Sequence, residues 1–370
     1  RVHPMHLHGF HFKMLAKADS ARVAPIAKAK QPMLVTELMD PFSTMDMEWV
    51  AARAGNWLFH CHLAFHAVAD ARYTVGFEAH DHHSGDAAKH MAGLVMGISV
   101  TDRVRTVAAR RIAPRTMRLH VQEGARRGKS ERALGFVLQN GASPSADSVN
   151  IPGSPLILTR GQPTDITVIN HLKESTAVHW HGIELESFSD GVAGWSGAPG
   201  HHAPAIAPGD SFVAHLTLPR AGTFIYHTHL NDVVQLTSGL YGGIVVLEPG
   251  QRYDASRDHL FVVGWDGPAE DLVVNGDSLP APRVLAKGVT HRLRFVFIGA
   301  VNGHTLTLAD STGPVTWRVG SLNTSTTFVG SFTPYSTYPI GLAKTGIGTW
   351  TLTGTGTVSA GITVEEGILS

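Results

Sequence analysis

The sequence predicts an all-β protein of sandwiches or barrels, on three observations. Apolar residues fall in short alternating or continuous stretches of strand length, such as 33–38, 166–169 and 212–218. Glycine and proline, 39 and 20 of the 370 residues, punctuate those stretches. Histidines recur two apart inside them, the period at which side chains share one face of a strand. Hydrophobic residues at 43% and charged residues at 16% supply a sizeable core and exclude global disorder. The length suggests two or three domains. Thirty basic against thirty acidic side chains leave no net charge, which argues against a general nucleic-acid binder. No apolar run reaches the 18 residues a membrane helix needs. A single cysteine, Cys61, forbids an intrachain disulfide.

Taken in order, residues 1–100 read as a partial β unit that begins abruptly, because a histidine cluster stands at His3 with no strand before it. An upstream segment or a neighbouring copy is expected to complete it. Residues 80–90 form a His-rich polar loop (His80, His82, His83, His90) suited to adventitious metal binding. Ten Lys/Arg against three acids over 101–132 suggest a solvated basic linker, assigned to 101–133. Residues 134–250 return to short strands with turn residues between them, and 251–319 begin a further β unit. At 320 the composition changes: 320–370 hold twelve Thr, nine Gly and six Ser with no His. Thr alternates with apolar residues between glycines, a solenoid-like β pattern. This tail resembles the strand repeat of bacterial autotransporter passengers.

Four segments carry the chemistry: HPMHLHG (3–9), HCHLAFH (60–66), HWHG (179–182) and HTH (227–229). They hold ten of the 23 histidines and the only cysteine. Each His-X-His pair can aim two imidazoles at one spot, so four pairs supply eight. In HCH, His60 and His62 point to one face while Cys61 points to the other, so one strand can serve two metal sites. A thiolate with two imidazoles, such as Cys61 with His3 and His66, is the ligand set of a blue-copper centre. Eight imidazoles suit a copper cluster with open positions, and ten clustered histidines exceed what one structural zinc requires. His201 and His202 read as surface residues; Trp57, Trp180 and Trp195 read as packing aromatics.

Together these motifs are similar to the four copper-binding signatures of multicopper oxidases, the laccase-like enzymes built from cupredoxin domains. The resemblance covers about residues 1–319 and implies cupredoxin-like Greek-key sandwiches, with the first and last units incomplete. It implies a type 1 copper on His3, Cys61 and His66, and a type 2 copper on His6 and His179. A type 3 pair then falls to His8, His60, His62, His181, His227 and His229, giving about four coppers. The order departs from the usual laccase arrangement, in which HWHG and HTH come first. Ten residues beyond Cys61 stands Ala71, which cannot ligate. If 67–90 is an insertion, HMAGLVMG resembles the usual ending, Leu94 takes the axial place, and Met91 and Met96 are the neighbouring alternatives.

The implied activity is oxidation of a phenol or aromatic amine, one electron at a time, coupled to reduction of dioxygen to water. Asp190 and Asp232, close behind the cluster histidines, are candidate proton relays; an Asp-Gly turn and a loop end are the plainer readings. Met33, Met39, Met45 and Met47 bring in a cuprous or manganous reductant as an alternative, although methionines more often fill core gaps. A non-catalytic copper-binding or surface-displayed module is the alternative from another class. Periplasmic or extracellular placement follows from the resemblance, and the cell surface if the tail is an autotransporter element. Partners are the reductant and dioxygen, with a homo-oligomer as one way to complete the first domain.

Overall fold

The computed structural model describes residues 2–18, 23–63, 66–67, 93–101, 112–126, 132–266, 271–277, 285–286 and 288–298, together with short strands between 315 and 369. Almost all regular structure is β, as expected. The chain divides into two units: His3–Phe10 with Ala51–Ala300, and Arg1–Val2 with His11–Val50 and Val301–Ser370.

The first of these contains a two-sheet β-sandwich. One sheet runs in the order Arg132–Leu138, Arg115–Arg126, Thr164–Asn170, Ser211–Leu216; the other runs Gly153–Thr159, Tyr241–Leu247, Gly222–Thr228, Val178–His181. Burial alternates strictly along Thr164–Asn170, as a strand with one face on a core requires. Leu119, Val121, Phe136, Ile166 and Val168 from one sheet meet Leu156, Leu158, Tyr226, Ile244 and Val246 from the other. Each such aliphatic side chain contributes roughly 1.5–3 kcal/mol on burial.

Beside the sandwich, Gly55–Cys61 lies between His3–Leu7 and Val95–Val100, antiparallel to both. This central strand is buried on both faces. The sandwich is stitched to it at Asn56 and Trp57. Ser187 Oγ donates to the Asn56 carbonyl at 2.6 Å, Asn56 Nδ2 to the Trp195 carbonyl at 3.1 Å, and Trp195 Nε1 to the Trp57 carbonyl at 3.1 Å. A third, smaller sheet places Asp258–Asp266 between Asp271–Val274 and Arg292–Phe297. Buried Arg294 grips Asp258 through two bonds of 2.6 and 2.8 Å and reaches Thr223 Oγ1 at 2.9 Å, tying that sheet to the Gly222–Thr228 strand.

The second unit contains Phe12–Ala18, flanked antiparallel by Val23–Pro25, Met33–Leu34 and Thr44–Glu48. Met47 stands opposite Met14 in that register and Met39 is buried, whereas Met33 is exposed. In the same unit, Val315–Val319, Ile340–Lys344 and Ile362–Val364 pair in parallel, as do Thr326–Phe328, Thr349–Leu352 and Ile368–Leu369. Successive described strands thus return to the same two sheets, and the first of them, Val315–Val319, precedes residue 320.

One boundary is corrected. The segment expected to be a basic linker, 101–133, is from Arg115 onward a twelve-residue strand inside the sandwich. Its Arg115 and Arg118 are exposed while Met117, Leu119 and Val121 are buried. Counting charges over the window hid this period-two alternation. The His-rich loop, Ala71 and Met91 lie outside the described residues.

Candidate metal centre

The strand registers decide where each imidazole points. Met5 stands opposite Cys61 and His6 opposite His60, and residues directly opposite share a face. His6, His8, His60 and His62 therefore serve one side of the strand pair; His3, Met5 and Cys61 serve the other. In the sandwich, His179 stands opposite His227, and Trp180 opposite Tyr226. Trp180 and Tyr226 turn into the apolar core, leaving His179 and His227 for the other face.

The eight imidazoles of the four pairs converge. His6 Nε2 lies 3.3 Å from His179 Nε2, and His8 Nε2 lies 2.9 Å from His60 Nε2. His8, His60 and His229 bring one nitrogen each within 4.8 Å of one another, as do His6, His8 and His179. The His62 ring centroid is 4.9 Å from that of His181 and 5.1 Å from that of His227. Several rings are held from behind: Nδ1 of His60, His179 and His227 donates to the carbonyls of Cys61, Asp190 and Thr228 at 2.9, 2.8 and 2.6 Å. Those bonds set the tautomer that leaves Nε2 facing inward as a lone-pair donor.

Asp190 is fully buried beneath the cluster. Its Oδ2 lies 2.8 Å from His8 Nδ1 and accepts a bond from Ser196 Oγ at 3.3 Å; its Oδ1 is 3.4 Å from His179 Nδ1. The turn after it is possible because residue 191 is glycine, at φ +93°. A Cβ there would collide with the Val178 carbonyl and push Asp190 away from the HWH strand. Asp232 opens a short helix, Asp232–Gln235, and its Oδ1 is shut off from solvent without a hydrogen-bond partner.

On the other face, Cys61 Sγ is 3.7 Å from His3 Nδ1 and 3.4 Å from His66 Nδ1. Cys61 is buried, whereas His3 and His66 are only partly so. Leu63 and Trp265 cluster with Cys61, and Met5 packs against that cluster. Leu94 sits beside this site through its backbone: its carbonyl accepts the Cys61 N–H at 2.9 Å and its N–H donates to the His66 carbonyl at 3.0 Å. Leu94 is 45% exposed and Met96 59%, so among the described residues Met5 is the thioether packed against the Cys61 group.

Two stretches of the chain, residues 1–75 and 147–251, match family models described as multicopper oxidase. Both segments are similar to multicopper oxidase domains. Laccase 1 of Metarhizium acridum is 34% identical over 131 residues, 35% of this chain and 18% of the relative. Laccase abr2 of Aspergillus fumigatus is 36% identical over 135 residues, 35% of this chain and 21% of the relative. Copper resistance protein A of Escherichia coli is 32% identical over 127 residues, 33% of this chain and 20% of the relative. The chain therefore matches about a fifth of the length of each. No helix among the described residues is long and apolar enough to cross a membrane.

The donor set fits the copper that multicopper oxidase domains carry. Nε2 of His62 and His227 and both ring nitrogens of His229 are buried without hydrogen-bond partners, an expensive state unless a cation satisfies them. Burial, reinforced by neighbouring imidazoles, holds His6, His8, His181, His227 and His229 well below the usual histidine range. The same causes, burial first, lower His60 to about 3 and His62 to about 4. The rings are thus neutral at neutral pH, the state a metal ligand requires. Burial pushes the Cys61 thiol up, so in the metal-free chain it keeps its proton.

His201 and His202 are exposed, and Trp57 and Trp180 are buried packing residues, as expected. Sequence reasoning missed Ser196, Met5 and Trp265. Of these only Met5 lay inside a motif; the other two come from segments no spacing rule connects to the histidines.

Proposed function

We propose that the protein is a laccase-like oxidase: it removes electrons singly from a phenol or aromatic amine at the Cys61 site and reduces dioxygen to water at the eight-histidine cluster. Four electrons and four protons convert one dioxygen to two waters. The observation that carries this reading is the strand Gly55–Cys61, whose neighbouring residues serve a thiol-containing site on one face and an all-imidazole cluster on the other.

Copper, when bound, supplies one-electron chemistry at the first site and multi-electron chemistry at the second. The chain does the rest. His3, Cys61 and His66 form the first ligand set, and partly exposed His3 and His66 give a reductant a place to dock. Cys61 is bonded in sequence to His60 and His62, and the bond from His60 Nδ1 to the Cys61 carbonyl shortens the path between the sites. His6 and His179 are assigned to one metal; His8, His60 and His229, and His62, His181 and His227, to two others. Asp190 holds the His8 ring and lies next to Ser196, a route for protons toward the cluster. Asp232, pushed up to about 7 chiefly by burial, can hold and release a proton near neutrality. Electrons therefore come from the open face, while dioxygen reacts where the protein shuts water out.

The test is copper loading followed by metal analysis, visible spectroscopy and oxygen uptake with a simple phenol. About four coppers, an intense blue band and phenol-dependent oxygen uptake are expected. Copper binding with no oxygen uptake under any phenol, aromatic amine, cuprous or manganous donor would leave a binding module instead.

A further inference from the structure

We propose that Gln235 is a positioning residue for the cluster, clamping the two sandwich segments that carry His179, His181, His227 and His229; this rests on the copper reading of that cluster. Gln235 is fully buried, and every polar contact of its side chain goes to those two segments. Its Oε1 accepts from Thr176 Oγ1 and from Thr228 Oγ1, both at 2.8 Å, and its Nε2 donates to the Ser175 carbonyl at 2.8 Å. The Ser175 carbonyl can only accept, which decides the orientation of the amide.

Thr228 is the middle residue of His-Thr-His. Its side chain points away from both imidazoles, so gripping its hydroxyl fixes the rotation of the segment about its own axis, and with it the direction of His227 and His229. The same residue's carbonyl accepts the His227 Nδ1 bond at 2.6 Å, so the grip passes to that ring. Thr176 precedes His179 by three residues, and the intervening Ala177 carbonyl accepts the His229 N–H at 3.1 Å. Thr176 and Thr228 are themselves fully buried, so neither hydroxyl has water as a substitute partner. One amide thus locks the rotation of both segments while touching no ring. The helix Asp232–Gln235 delivers it there, with Gln235 N–H on the Asn231 carbonyl at 2.8 Å and its own carbonyl accepting from Leu240.

The experiment compares wild type, Gln235→Leu, Gln235→Glu and Thr228→Val after copper loading, measuring copper retained against a chelator, the Cys61 visible band and the melting of each metal-free chain. Gln235→Leu is expected to weaken cluster copper by roughly 10–100-fold, the range for residues that orient ligands, with the Cys61 band unchanged. Gln235→Glu keeps both hydroxyl bonds and should fall between it and wild type. Thr228→Val removes one of the two hydroxyls on Oε1, together with the longer contacts of that hydroxyl to the Leu230 carbonyl and N–H at 3.1 and 3.4 Å, and stays informative if Gln235→Leu fails to fold. Wild-type copper retention in Gln235→Leu or, should that not fold, in Thr228→Val would overturn the clamp alone, even with lowered melting. A wild-type chain that never loads its cluster would overturn the copper reading and the clamp together.

Discussion

The two faces of the Gly55–Cys61 strand differ in how far they close. Around Cys61 the sulphur is buried, but His3 and His66 reach the surface and Leu94 and Met96 stand exposed beside them. On the other face His6, His8, His60, His179, His227 and His229 are all buried, several braced from behind by carbonyls or Asp190. An open site can accept electrons from many donors by contact. A closed site can hold reactive oxygen away from bulk water and admit protons only where the chain provides a group. Adjacent residues on one strand can do both because their side chains leave in opposite directions.

The sharpest way to break the proposed division of labour is Cys61→Ala. Loss of the blue band and a fall of phenol-driven oxygen uptake to background are expected, with cluster copper retained on metal analysis. If cluster copper leaves as well, the two faces are not independent. Asp190→Asn comes next: it keeps the shape but removes the charge behind His8, so cluster copper should weaken by about 10–100-fold with the blue band intact. Chelator titration of both sites reads the difference.

Acidity separates the faces by a smaller margin. In the metal-free chain His60 and His62 titrate at about 3 and about 4, below their unfolded value of 6.5. Between those limits the unfolded chain binds protons the folded chain refuses. The stability from their neutral burial is full above 6.5 and is lost as pH falls toward 4 and then 3. Asp232 runs the other way, with a folded value of about 7 above its unfolded 3.8, so its contribution is full below 3.8 and is lost as pH rises through 7. Asp232→Asn should therefore remove the loss of stability that Asp232 adds between pH 3.8 and about 7, leaving the histidine trend unopposed there and the slope below 3.8 unchanged, as thermal melts across pH would read. The smallest effect is expected from Met5→Leu, a near-isosteric change beside Cys61 that costs under about 1.5 kcal/mol. A shift of the blue band with unchanged cluster copper would place Met5 at the open site; no spectral shift would make it packing alone.

Much of the site was legible in sequence because strand geometry converts spacing directly into direction. His6 and His8, His60 and His62, and the separation of Cys61 from its neighbours needed only period two. The strand at Arg115–Arg126 was missed for a related reason: its exposed arginines dominate a charge count, while Met117, Leu119 and Val121 disclose the strand only when read alternately. Leu94 shows another limit, since its backbone joins Cys61 and His66 while its side chain turns out to solvent.

Sequence alone determined the all-β character, the four histidine pairs, the thiol on the opposite face and the neutral composition, because local periodicity and side-chain chemistry suffice for each. Only the tertiary structure decided which nitrogen of His60, His179 and His227 faces inward, which carbonyl holds it, that Asp190 reaches His8 and His179 with Ser196 behind it, and that Gln235 bridges Thr176 and Thr228. Those contacts join residues as far apart as His8 and Asp190, 182 positions along the chain. No local preference encodes such a distance; it is set when two sheets bury their apolar faces and the polar atoms left between them must find partners.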